Sequence, residues 1–128
     1  MKNIELIDLA KSLVGEVLTE DKNGSSAGGV GAALLTAEGN VYSGICLDYP
    51  CGLGFCAEHA AVAEMLKNRE TQIIKIVAVD RKKVRSPCGR CRELIMLTNS
   101  LNRDTEVIIS QSQTIKLYEL LPYHWLES

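Results

Sequence analysis

Apolar positions recur at helical spacing from Ile4 to Leu18, through Leu6, Ile7, Leu9, Ala10, Leu13, Val14 and Val17, which predicts a first helix over that stretch. TEDKNGSSAGG (19–29) breaks the pattern with Gly, Ser, Asn and Asp and reads as a loop. VGAALLT (30–36) and VYSGICL (41–47) are apolar and partly β-branched, with AEGN between them, so they predict a hairpin. DYPCGLGF (48–55) leads into a second helix, from residue 56 to about 68. IIKIVAVD (73–80) has the length and branching of a buried strand, and the basic loop RKKVRSP follows it. Helical spacing returns from Cys88 to Thr98 through Cys91, Leu94, Ile95 and Met96, and EVIIS (106–110) is another short strand. TIKLYELLPYHWLES has room for an edge strand and one helical turn before Pro122.

The order helix, hairpin, helix, strand, helix, strand implies an α/β fold, a sheet with helices packed on its faces, because each strand–helix–strand passage lays its helix over the sheet. A chain of 128 residues suits one domain, 1–128. Its 46% hydrophobic and 23% charged residues match an ordinary globular composition. A net charge of −2 provides no positive field for a phosphate backbone, so nucleic acid is not an expected partner. Apolar runs fall well short of the ~20 residues that cross a bilayer, and Met1-Lys2-Asn3 leads into no apolar signal segment. The expectation is a cytoplasmic protein with no membrane partner. In that compartment five cysteines, an odd number, point to metal or catalytic roles rather than a disulfide framework.

Cys88 and Cys91 stand at i, i+3 where a helix begins, and Cys56 opens the preceding one. Unpaired N–H groups and the helix dipole favour thiolates there. Three thiolates from two helix tips suit Zn²⁺ and leave its fourth position open, as in a catalytic site. Glu58, two residues past Cys56, is placed to move a proton beside the metal without coordinating it. C-x-E followed some thirty residues later by P-C-x-x-C is the three-cysteine form of the zinc nucleobase-deaminase signature.

VGAAL (30–34), EGNVYSG (38–44), CAE (56–58), SPCGRCRE (86–93) and ELLP (119–122) make the chain resemble the cytidine deaminase family in its small homotetrameric branch, and it is similar also to blasticidin S deaminase. The resemblance implies a three-layer α/β/α sandwich around a five-stranded mixed sheet. It implies a zinc-dependent hydrolase that releases ammonia from a cytosine nucleoside or related aminated heterocycle. Zinc would be held by Cys56, Cys88 and Cys91, with zinc hydroxide as nucleophile and Glu58 as proton shuttle. Backbone groups of Ala57 and Cys88 would meet the pyrimidine edge and the attacking oxygen. Arg92 stands where the family places a donor to the thiolates, Arg90 matches the arginine in the CGRC of blasticidin S deaminase, and His59 replaces a family arginine. The resemblance also implies a homotetramer and a nucleoside-like small molecule as substrate.

Several positions depart from that pattern. Gly28 falls where cytidine deaminases carry a base-stacking phenylalanine, and Cys46 and Asp48 fall where they carry an asparagine and a glutamate for the ribose. Trp125 or Tyr123, in the tail that the family directs toward a neighbouring subunit's pocket, could replace the aromatic face. Blasticidin S or another modified cytosine is therefore an alternative substrate, and a catalytically silent, zinc-stabilised binding module is an alternative function. Cys51 as a fourth ligand would make a closed structural site, Cys46 could serve only the core, and the basic run 81–85 reads as a solvated loop.

Overall fold

The computed structural model describes residues 1–20 and 23–127. Asp21 and Lys22 of the expected loop lie outside them. The first helix, α1 (Asn3–Ser12), begins where Glu5 Oε1 accepts the Lys2 N–H at 2.9 Å. It ends six residues short of Leu18, against the expectation from apolar spacing. Gly15 donates its N–H to Gly28 O at 2.9 Å, and β1 (Val17–Leu18) pairs antiparallel with Ala27 and Ser26. Backbone pairing to the sheet thus replaces the last turn, and the apolar side chains of Val17 and Leu18 stay exposed.

Strand β2 (Ser26–Thr36) is the centre of the fold, and it absorbs the last residues of the expected 19–29 loop. It forms the predicted hairpin with β3 (Val41–Asp48) and pairs on its other side with β4 (Ile73–Val79), both antiparallel. Helix α2 (Ala57–Lys67) links β3 to β4. After β5 (Val84–Arg85), which folds back on β4, helix α3 (Gly89–Thr98) crosses to β6 (Glu106–Ser110), parallel to β4. β7 (Gln113–Lys116) closes the far edge and runs into the single turn α4 (Leu117–Leu120). The sheet is mixed but has seven strands, not five. The two additions, β1 and β5, are two-residue pairs at the ends of β2 and β4, too short to show any alternation in sequence.

Neighbouring residues of β2 face opposite layers, as period 2 requires. Ala33 packs with Leu6, Ile7 and Ala10 of α1 and with Val77 and Ile108 of the sheet. Leu34 packs with Ala61, Val62 and Met65 of α2, Ile95 and Met96 of α3, and Ile76 and Val107. Two buried clusters on opposite faces of one sheet make the three-layer sandwich. Gly44 of β3 lets α2 lie close, since a Cβ there would sit 2.4 Å from Ala60 Cβ and 2.7 Å from Ala61 N.

Candidate active site

β3 and β4 both run antiparallel to β2, so they end at the same edge of the sheet. The helices that follow them therefore start at that edge, and the N-termini of α2 and α3 come together. Cys56 and Cys88 are the N-cap residues, with extended backbone at ψ 157° and 168°, and Cys91 lies in the first turn of α3. Cys56 is held by an isolated bridge: Leu47 and Phe55 exchange backbone hydrogen bonds of 2.9 and 3.1 Å, which closes the loop 48–54 at its base. Gly54 permits this closure, for a Cβ would lie 2.5 Å from Leu47 O.

The sulfurs meet. Cys56 Sγ is 3.5 Å from Cys88 Sγ, Cys88 Sγ is 3.6 Å from Cys91 Sγ, and all three lie within 4.8 Å of one another. Zinc–sulfur bonds of about 2.3 Å in a tetrahedron put sulfurs about 3.8 Å apart, so the cluster fits Zn²⁺. The thiols' acidities agree with that donor set. Burial pushes up Cys56 and, with the nearby Glu58 charge, Cys91. Burial also raises Cys88, but the backbone N–H groups of Cys91 and Arg90 and the neighbouring thiols outweigh it, and the net direction is down. One thiol ionises readily here; a full set of three thiolates calls for a cation among them. Cys51 is exposed in the loop tip and outside the cluster, so the three-sulfur set keeps a ligand position free.

Glu58, the second residue of α2, is 5% exposed. Burial pushes its carboxyl above the ordinary value, and its own backbone N–H only partly offsets that. It belongs to no ligand cluster, yet its charge acts on Cys56 and Cys91. It lies against Ala78 and Pro87, in surroundings that favour a neutral acid.

Residues 8–108 match the family described as the cytidine and deoxycytidylate deaminase zinc-binding region. The chain belongs to this deaminase family. It is 32% identical over 104 residues to the blasticidin-S deaminase of Bacillus cereus, covering 73% of this chain and 71% of that protein. Over 99 residues it is 33% identical to a cytidine deaminase of Halalkalibacterium halodurans, covering 73% and 74%. Among solved structures, the cytidine deaminase of Burkholderia pseudomallei matches with a TM-score of 0.77 at 26% identity, over 98% of this chain and 100% of that one. That of Mycobacterium tuberculosis reaches 0.80 at 24% identity, over 98% of each, a likeness of fold.

Within this deaminase-family frame, the other expected site residues divide. His59 Nδ1 is 3.5 Å from Cys91 Sγ, and its ring stacks on Phe55 with centroids 6.5 Å apart. Burial, then the Arg90 charge, lowers the His59 pKa. Arg90 is exposed and lines a groove beside Cys56. Arg92 does other work than the expected thiolate donor: Nε donates to Pro87 O at 2.8 Å, Nη1 to Leu120 O at 2.9 Å and Nη2 to Ser86 Oγ at 3.1 Å. It ties the segment that delivers Cys88 to the end of α4. The roles of Ser86 and of the Leu120 carbonyl were not read from the sequence, although both lie inside the quoted stretches SPCGRCRE and ELLP. A backbone carbonyl leaves no mark on residue type.

Ala57 is fully buried at the first position of α2. Cys46 is 6% exposed, packs with Ala32, Ala57 and Ala78, and accepts the Val30 N–H at 3.3 Å. Its sulfur is thereby occupied inside the core. Asp48 is exposed, with Oδ2 3.7 Å from Cys46 Sγ. Gly28 has φ +87°, in a bulge of β2 between Ala27 and Gly31, and a Cβ there would fall 2.1 Å from Gly15 O. No stacking aromatic fits at that backbone position. Trp125 is 69% exposed, and its N–H donates to Glu93 Oε1 at 3.3 Å, so it lies beside α3 and does not line the groove at Cys56 in its own chain.

Proposed function

We propose that this chain, acting as a single domain, is a zinc-dependent hydrolytic deaminase that releases ammonia from a cytosine nucleoside or related aminated heterocycle. The observation that carries this reading is the three-sulfur cluster at two helix tips with a buried carboxyl beside it. Cys56, Cys88 and Cys91 would hold the metal, which supplies a water acidified enough to attack at neutral pH. Glu58 would take a proton from that water and deliver it to the ring nitrogen as the carbon–oxygen bond forms. It would then return a proton to the amine as the carbon–nitrogen bond breaks, leaving a carbonyl and ammonia. A carboxyl raised by burial suits this exchange, because efficient proton transfer needs an acidity near that of the medium. The Ala57 and Cys88 backbone would align the pyrimidine edge. His59, with its nitrogen against Cys91, is the side chain best placed to draw charge from a thiolate, and Arg92 supports the same ligands by holding their loop.

Modified cytosines such as blasticidin S form a second substrate class. The 32% identity to a blasticidin-S deaminase supports it, as does the glycine at position 28. We further propose a homotetramer in the cytoplasm. Exposed Tyr123, Trp125 and Leu126 support the assembly, which sedimentation velocity tests. Among the described residues no helix is long and apolar enough to cross a membrane.

The test is ammonia release by zinc-loaded protein from cytidine, deoxycytidine and blasticidin S. Glu58→Gln should lower kcat by about 10²- to 10⁴-fold with zinc still bound. Zinc binding without ammonia from any of the three would make the chain a silent binding module.

A further inference from the structure

The groove beside Cys56 runs past Phe55 and Arg90 to Asp48. Asp48 also lines a second cavity of about 410 Å³, so the two spaces adjoin at that carboxylate. The second cavity forms where three segments meet at one edge of the sheet: the bulge at Gly28 and Gly29, the end of β3, and the basic loop after β4. The missing side chains create the room. A Cβ on Gly29 would already lie 3.9 Å from Asp48 Oδ2, and Gly28 can carry none without striking Gly15.

The charges around this cavity differ in what they already do. Asp80 accepts the Lys82 and Lys83 N–H groups at 2.8 and 2.9 Å and pairs with Arg85 Nε at 2.5 Å. Those bonds shape the loop and commit both Asp80 and Arg85. Arg81 and Lys82 also line the cavity, and neither side chain has a hydrogen-bond or ion-pair partner among the described residues. The uncommitted acids are Asp48, at the throat where a substrate's hydroxyls would pass, and Glu16 on the α1 side. Two adjacent cations facing a concave space repel each other until an anion sits between them, and arginine and lysine bind phosphate or carboxylate oxygens through charge-assisted hydrogen bonds.

We propose that the substrate carries an anionic group on its sugar-like ring, a phosphate or a carboxylate, which passes Asp48 and is bound by Arg81 and Lys82. This rests on the deaminase reading above. It turns the basic loop from a solvated segment into a specificity element.

The experiment compares kcat/KM, by ammonia release from zinc-loaded protein, for cytidine, cytidine 5′-monophosphate, the 5′-carboxylate of cytidine and 5′-amino-5′-deoxycytidine. At least one anionic compound should exceed cytidine by about tenfold or more, and which one identifies the group. In the double variant Arg81→Ala/Lys82→Ala the ratio of that compound to cytidine should fall by at least about tenfold, through KM, and its dependence on salt should flatten. Lys83→Ala, in the same loop but outside the cavity, should leave the ratio unchanged. Equal turnover of cytidine and both anions, preference for the 5′-amine, or a ratio the double variant does not move would overturn the proposal while the deaminase reading stands. No ammonia from any of the four compounds, or from blasticidin S, would overturn both.

Discussion

Glu58 and Glu70 are both buried carboxyls, yet their surroundings drive them in opposite directions. Glu58 meets apolar neighbours and is pushed toward the neutral acid. Glu70 follows α2 and gathers donors instead: the Thr36 hydroxyl at 2.6 Å, Asn40 Nδ2 at 2.9 Å, and the Tyr42 hydroxyl. The Thr36 bond, then that from Tyr42, holds its carboxyl below the ordinary value of 4.5, while Glu70 pushes the Tyr42 phenol up to about 12. A carboxyl depressed in the folded state contributes stability that is complete above its unfolded value and is lost as pH falls through the folded one. Glu70→Gln should therefore melt several degrees below the parent protein near pH 7, and the gap should close on acidification below about pH 4. Thermal melts followed by circular dichroism check this; a gap that persists in acid would show that shape, not charge, is what Glu70 supplies.

At the scale of elements, the site depends on how closely α2 lies on β3. Gly44→Ala would place a methyl 2.4 Å from Ala60 Cβ and 2.7 Å from the Ala61 nitrogen, where backbone cannot yield by rotating a side chain. The helix must lift, and Cys56 at its tip must move with it. We expect a loss of about 1–3 kcal/mol of stability and weaker zinc binding, measured by denaturation and by competition with a chelator. The elements themselves were largely legible. α2, β4, α3 and β6 fall within a residue or so of their predicted bounds, because apolar period and length agree there. α1 was overextended because Val14, Val17 and Leu18 continue its period, while the bonds that stop it, Gly15 to Gly28 and β1 to β2, come from distant sequence. The metal ligands were legible because residue type and local spacing define them. Arg92 was misread because its partners are mostly carbonyls, one of them 28 residues away.

For the whole molecule, the shared cation would be a cross-link between layers of the chain. Cys56 belongs to the helix after β3 and Cys88 and Cys91 to the helix after β4, so a metal joining them closes a loop of more than thirty residues without a disulfide. A ligand that binds only the folded state at ~1,000 times its Kd adds about 4 kcal/mol. Stripping zinc with a chelator should accordingly lower the melting temperature by about 10 °C or more, and calorimetry should recover the difference on adding zinc back. An unchanged transition would mean that the tips hold their places by packing alone.

The closed base of the 48–54 loop carries one further consequence. Because Leu47 and Phe55 clasp each other, residues 49–53 hang outside the clasp, with Leu53 exposed and left-handed backbone at Cys51 and Gly52. Lengthening or rewriting that tip would leave Cys56 anchored while reshaping one wall of the groove. Preference among ligands and competence for the reaction would then be separable properties, free to diverge under selection by changes of a few surface residues.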